Sequence, residues 1–137
     1  MSYHSSLIDA LNRIRNAVIR GHRKVVVPKS KLIKGVLSVL LDEGFIEAFN
    51  EIETGLAGTS LKNGFEVTLR YFRNQRSLIN EIKAVSKPSR RVYSGYEDLP
   101  PVKRGLGIAV LSTNQGIISD RKAKRLRVGG EVLALVY

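Results

Sequence analysis

Five neutral residues, Ser112-Thr113-Asn114-Gln115-Gly116, separate the apolar runs Gly107 to Leu111 and Ile117-Ile118 in a chain of formal net charge +11. Hydroxyls, carboxamides and backbone N–H groups read base edges and the 2′-hydroxyls of a shallow RNA minor groove. Lys and Arg neutralise phosphates but carry little sequence or shape information. Two readings fit this local physics equally: a tip that reads nucleic acid, or a polar hairpin turn, for which Asn-Gln-Gly is good chemistry. A second candidate is "AVSKPSRRVYSGY", Ala84 to Tyr96. Its proline-stiffened loop would hold Lys87, Arg90 and Arg91 near phosphates. Tyr93 and Tyr96 would either stack on bases or pack as strand residues. "DRKAKRLR" (Asp120 to Arg127) adds five cations on or near one short helix, a pattern that solvated helix faces share.

Other chemistries find little support. The two histidines, His4 and His22, have no plausible nucleophile near them in sequence, and Ser112 lacks a Gly-x-Ser-x-Gly context. Neither a phosphate-cradling Gly-x-x-x-x-Gly-Lys nor a metal-ligand spacing occurs. We therefore expect no enzymatic activity, no cofactor, no metal and no small-molecule substrate. Cysteine is absent, which excludes a disulfide scaffold and fits a reducing compartment. No apolar run approaches the ~20 residues of a membrane span, so no membrane partner is expected. The opening "MSYHSSLIDAL" shows neither a basic n-region nor an apolar h-region.

The charge points to a polyanion. Lys and Arg number 23 against 12 Asp and Glu, with a pI near 10.3. Residues 1–72 hold 10 basic and 7 acidic side chains, whereas residues 73–137 hold 13 and 5. The second half is the more electropositive.

The elements that must position these residues follow from periodicity. Ser6 to Asp9 reads as a capping box for a helix with Leu7, Leu11, Ile14 and Val18 on one face, ending at Gly21. Arg13, Asn16 and Arg20 share its other face. Lys24 to Pro28 is a short β-branched strand, and Ser30 caps a second helix running to Gly44. Phe45 to Ile52 and Gly64 to Tyr71 alternate as antiparallel strands, with Thr54 to Gly64 as an exposed hairpin loop. After the polar "RNQRS" (Arg73 to Ser77) we expect strands over Leu78–Val85 and Val92–Tyr96. A turn of helix should follow Pro100-Pro101 and close at Gly105 and Gly107. Strands on either side of the Ser112–Gly116 segment, a short helix from Ser119 and a strand over Glu131–Tyr137 complete the chain. The class is α+β, in two small domains: 1–72, α-β-α-β-β, and 73–137, mostly β with short helices.

Five motifs in order resemble one family, small-subunit ribosomal protein eight in its bacterial or organellar form. They are "RIRNA" (Arg13 to Ala17), "VPKSKL" (Val27 to Leu32), "EGFI" (Glu43 to Ile46), "VSKPSRRVY" with the following "LPPVKRGLGIAVLST", and "VGGEVLALVY". The resemblance implies a two-domain protein without enzymatic activity or cofactor. It implies direct binding to the central domain of small-subunit rRNA, beside neighbouring small-subunit ribosomal proteins, in a bacterial cytoplasm or mitochondrial matrix. The runner-up is a free nucleic-acid-binding regulator that uses the same basic face.

By the same resemblance, the principal RNA contacts are Ser112, Thr113, Asn114 and Gly116 of the turn, Lys87, Pro88, Arg90 and Arg91 of the loop, and Gly129, Gly130 and Glu131. Tyr93 joins them from its place beside the loop. Arg13, Arg15, Asn16, Lys29, Ser30 and Lys31 are implied as secondary contacts. The two glycines would let RNA approach closely and permit positive φ. Glu131 would accept from a base or 2′-hydroxyl, or hold Arg91 or Arg127; otherwise it is an ordinary edge-strand glutamate. Departures from the family pattern are Asn114 for a common Ser, Ser89 and Arg127 for common glycines, and the missing early Asp-Pro.

Overall fold

Leu7, Ala10, Leu11, Ile14 and Ala17 recur at helical spacing and are all but inaccessible on helix α1 (Tyr3–Arg20). In this computed structural model, residues 3–52 and 64–137 are described. The helix begins three residues ahead of Ser6, which lies within its first turns and is not the N-cap. Neither proline nor glycine stands before Ser6 to stop the helix extending backwards. Its end falls where expected. Gly21 takes φ +72, His22 N donates to Ala17 O and Gly21 N to Val18 O, the paired bonds of a Schellman stop.

Strand β1 (Lys24–Pro28) leads into α2 (Lys31–Asp42). Ser30 caps α2 as predicted, its hydroxyl accepting from Ile33 N at 3.1 Å. Strands β2 (Ile46–Ile52) and β3 (Gly64–Leu69) pair antiparallel, and β1 joins the other edge of β3 to give the order β1-β3-β2. The predicted hairpin loop falls, apart from Gly64, outside the described residues. Tyr71, placed in that strand by the alternation, instead bridges to Ser77 in the turn that follows.

The second sheet holds β4 (Ile82–Ala84), β5 (Tyr93–Ser94), β6 (Ile108–Thr113), β7 (Gly116–Ser119) and β8 (Gly130–Val136). Its order is β4-β8-β6-β7, with β5 beside β8. Two strands are shorter than their apolar runs. β4 pairs only where β8 lies opposite, from Ile82↔Val136, and before it Asn80 N and Glu81 N both donate to Tyr137 O. β5 stops because Tyr96 enters a 3-10 turn (Tyr96–Asp98). The helical turn after Pro101 spans Val102–Gly105, but Lys103 and Arg104 take left-handed φ, so it is not a regular helix. Helix α3 (Asp120–Leu126) starts on Ser119, whose hydroxyl accepts from Lys122 N.

The second sheet has apolar residues on both faces. Ile108, Val110, Ala134 and Val136 join α1, α2 and the first sheet in one buried cluster. Ala109, Leu111, Val132 and Ile118 form a second cluster with Leu99 and Ala123 of α3. Burial on both faces fixes the sheet's register, because a one-residue slip would exchange the two sets.

Candidate nucleic-acid interface

The polar turn is a tight connection between β6 and β7, which pair up to Thr113↔Gly116. Gly116 takes φ +102, which lets the chain re-enter the strand after Asn114 and Gln115. Thr113 braces the turn from within: its hydroxyl donates to Gly116 O at 2.9 Å and accepts from Gln115 N at 3.0 Å. Asn114, Gln115 and Gly116 are exposed, and Ser112 is half-buried. The free hydrogen-bonding groups of the turn are thus the two carboxamides and the Ser112 hydroxyl.

Beside the turn four strands lie level. Tyr93, Glu131, Ser112 and Ile117 stand opposite one another across β5, β8, β6 and β7; Ser94, Gly130, Thr113 and Gly116 form the next row on the other face. This explains Gly129 and Gly130. A Cβ on Gly130 would collide with the Ser112 carbonyl oxygen, and one on Gly129 would stand 2.5 Å from Ser94 O. Neither has positive φ. The space that their missing Cβ atoms free is filled by this chain's own backbone on β5 and β6, where the sequence reading had placed RNA.

The Lys-Pro loop closes on itself and then on this sheet. Lys87 and Arg90 exchange both backbone bonds, at 2.9 and 3.0 Å, so Pro88 and Ser89 form a two-residue tip. Ser89 stays at negative φ, so a serine fits there without left-handed strain. Buried Ser86 clasps the base of the loop, accepting from Val92 N at 2.9 Å and donating to Val92 O at 3.3 Å. Sequence reasoning missed Ser86; only its place before the Lys-Pro tip hinted at a clasp. Lys87, Pro88, Arg90 and Arg91 are exposed, as is Tyr93 at 67%.

Glu131 is 8% exposed, with Arg91 Nη1 3.9 Å from its carboxylate. That distance gives an electrostatic tether without a close hydrogen bond. Of the two partners anticipated for Glu131, the structure pairs it with Arg91. Arg127 instead caps α3 at φ 57 and ψ 44, a left-handed position that favours glycine.

The secondary residues are spread more widely. Along α2, Gly35 sits over Ile117 of β7, and Asp42 and Glu43 line a hollow with Ser119 and Lys122. The helix therefore runs parallel to β7, and its first turn, with exposed Lys31, lies at the turn end of the sheet. Ser30 spends its hydroxyl on the cap, and Lys29 is ion-paired with Glu51. On α1, Arg13 is paired with Asp9 at 3.1 Å and Arg15 with Glu81 at 3.0 Å, while Asn16 is exposed. These α1 residues stand apart from the hairpin cluster.

The fold and this cluster define a class: a basic α+β protein that presents a braced polar turn and a clasped cationic loop at one end of an antiparallel sheet. A family model described as Ribosomal protein S8 matches residues 5–137. Relatives named "Small ribosomal subunit protein uS8" are similar over the whole chain. That of Maricaulis maris is 50% identical over 136 residues, 99% of each chain. The Hyphomonas neptunium relative is 49% identical over 137 residues, the full length of both, and that of Nautilia profundicola 46% over 131 residues, 96% of each. The chain belongs to the ribosomal protein S8 family.

Proposed function

We propose that this protein is a structural, non-catalytic constituent of the small ribosomal subunit that binds the central domain of the subunit's rRNA directly. Family membership supports the ribosomal role, and the bacterial relatives favour a bacterial-type ribosome in the cytoplasm. The observation that carries the RNA reading is the convergence of three separated segments: the 112–116 turn ends β6, the 87–91 loop leads into β5, and residues 129–131 open β8, the strand that pairs with both. Residues 73–137 form the principal RNA-binding part, and α1 with the β1–α2 junction supplies secondary contacts. Ser112, Asn114 and Gln115 read; Lys87, Arg90 and Arg91 hold phosphates; Thr113, Gly129 and Gly130 hold the shape.

Titration of a central-domain rRNA fragment over a salt series tests this division. Lys87→Ala or Arg91→Ala should weaken every RNA about alike and reduce the salt slope by about 1, because a phosphate contact carries no sequence. Ser112→Ala with Asn114→Ala should cost discrimination against unrelated RNA and leave the slope nearly unchanged. If the two variants behave alike, the division of roles is wrong. If the wild-type chain neither binds the fragment nor co-sediments with small subunits, the function is wrong.

A further inference from the structure

A second basic surface lies away from the hairpin. The stop of α1 and the turn after β3 are drawn together: Leu69 N donates to Arg23 O at 2.8 Å and Tyr71 Oη to His22 O at 2.5 Å. Phe72 N donates to Arg76 O and Gln75 N to Phe72 O, closing a turn whose tip residues are all exposed. The backbone of Arg23 is thereby brought beside the turn that carries Arg73 and Arg76, with Arg20 three residues earlier at the end of α1. A hollow of about 340 Å³ at this corner is lined by Arg23, Arg70 and Phe72, with Glu47 as its one carboxylate. Phe72 is 57% exposed.

Two features separate this corner from an ordinary solvated surface. None of Arg20, Arg23, Arg73 and Arg76 makes an ion pair among the described residues. Clustered positive charge with a single nearby carboxylate works against the compact state unless a partner neutralises it. Arg20 and Arg23 gain something from the negative end of the α1 dipole, but that does not reach Arg73 or Arg76 on their separate turn. The cations of residues 20–23 and 70–76 are also arginines, whose planar fork matches phosphate oxygens in pairs, while the adjoining Lys24 is paired with Glu66 at 3.5 Å. An exposed aromatic among such forks suits an unstacked base.

We infer that this corner is a second RNA-binding surface, with Arg20, Arg23, Arg73 and Arg76 holding phosphates and Phe72 stacking on an unpaired base. The inference rests on the rRNA-binding reading above and extends it to residues outside the hairpin interface. β1 runs from Lys24 at this corner to Pro28, and the chain then enters α2, whose first turn lies at the hairpin end. The two surfaces thus lie toward opposite ends of that strand, whose length is about 17 Å, and would grip different segments of one folded RNA.

The test uses the full chain and the complete central-domain rRNA. Arg73→Ala with Arg76→Ala should reduce the salt slope by about 2, and Phe72→Ala should weaken binding about tenfold at unchanged slope. Wild-type affinity and slope in the Arg73/Arg76 variant, with Lys87→Ala impaired in the same titration and circular dichroism unchanged, would overturn the second surface and leave the first standing. A wild-type chain that ignores the rRNA overturns both. If the Arg73/Arg76 variant binds naked rRNA normally but is lost from small subunits, the surface docks an acidic protein and the RNA assignment is wrong.

Discussion

At the hairpin end of the molecule, and in the segments implied to support it, four cations are held by the protein's own carboxylates, while Lys31, Lys87 and Arg90 make no ion pair among the described residues. Arg91 is tethered to Glu131, Lys29 to Glu51, Arg13 to Asp9 and Arg15 to Glu81. At the corner formed by residues 20–23 and 70–76 the arginines stand without such partners among the described residues. The first arrangement fixes side-chain pose before a partner arrives and reduces the entropy lost on binding. The second leaves charge to be neutralised by the partner, which gives a steep salt dependence and little register. The hairpin end combines charge with built geometry, and the corner rests mainly on charge. Mutations should therefore divide them: backbone-level changes should break the hairpin end, and loss of arginine or of the Phe72 ring should break the corner.

The largest effect should come from Gly130→Ala. Its new Cβ would meet the Ser112 carbonyl oxygen, which is sheet backbone and cannot swing aside. Strands β6 and β8 must separate locally, at a cost of about 3 kcal/mol of stability. Chemical denaturation should show the loss, and sequence discrimination by the hairpin should fall with it. A stable Gly130→Ala protein with intact RNA discrimination would mean that the strand start is plastic and that the hairpin end does not depend on its backbone geometry.

Ser86→Ala should act more locally. It removes the hydroxyl that satisfies Val92 N at a position 2% exposed. An orphaned buried N–H costs about 2 kcal/mol. The Lys-Pro loop would lose its clasp, so Arg90 and Arg91 should bind less tightly although neither is mutated. Ser86→Thr, which keeps the hydroxyl, should recover part of the binding. If Ser86→Ala lowers stability but leaves rRNA affinity untouched, the clasp does not position the loop.

Periodicity and capping rules made the helices legible, because each reports local chemistry. The apolar stripe of α1, the Ser30 and Ser119 caps and the Gly21 and Gly44 stops are all where the residues put them. Strand ends were less legible. Leu78–Val85 has the composition of one strand, but only Ile82–Ala84 finds a partner, and partner length is a property of β8. Gly129-Gly130 was read as room for RNA, when the space belongs to Ser112 and Ser94, residues 18 and 35 positions earlier. The arginine corner is not visible in the sequence for the same reason: Arg20 and Arg23 lie some fifty residues from Arg73 and Arg76. Long-range pairing, which a single sequence does not display, brings all three cases about.

The smallest expected effect concerns the side-chain bond of the two that draw the arginine corner together. Tyr71 Oη donates to the His22 carbonyl oxygen at 2.5 Å, tying the stop of α1 to the segment after β3. Tyr71→Phe keeps the ring and removes only that bond, so near neutral pH it should cost about 1 kcal/mol. Partial burial raises the phenol's pKa above its ordinary value. A raised folded-state pKa means that the neutral phenol's contribution is fully present below the unfolded pKa and is lost as pH climbs through the folded one. Wild type should therefore lose its advantage over Tyr71→Phe above about pH 10, and the two stability curves should converge there. Binding through the corner should weaken slightly at neutral pH, while discrimination by Ser112 and Asn114 is unchanged. Urea unfolding of both proteins at neutral and alkaline pH decides the matter. A stability gap that stays constant across that range would assign the effect to packing and remove the hydrogen bond as the tie between Arg20–Arg23 and Arg73–Arg76.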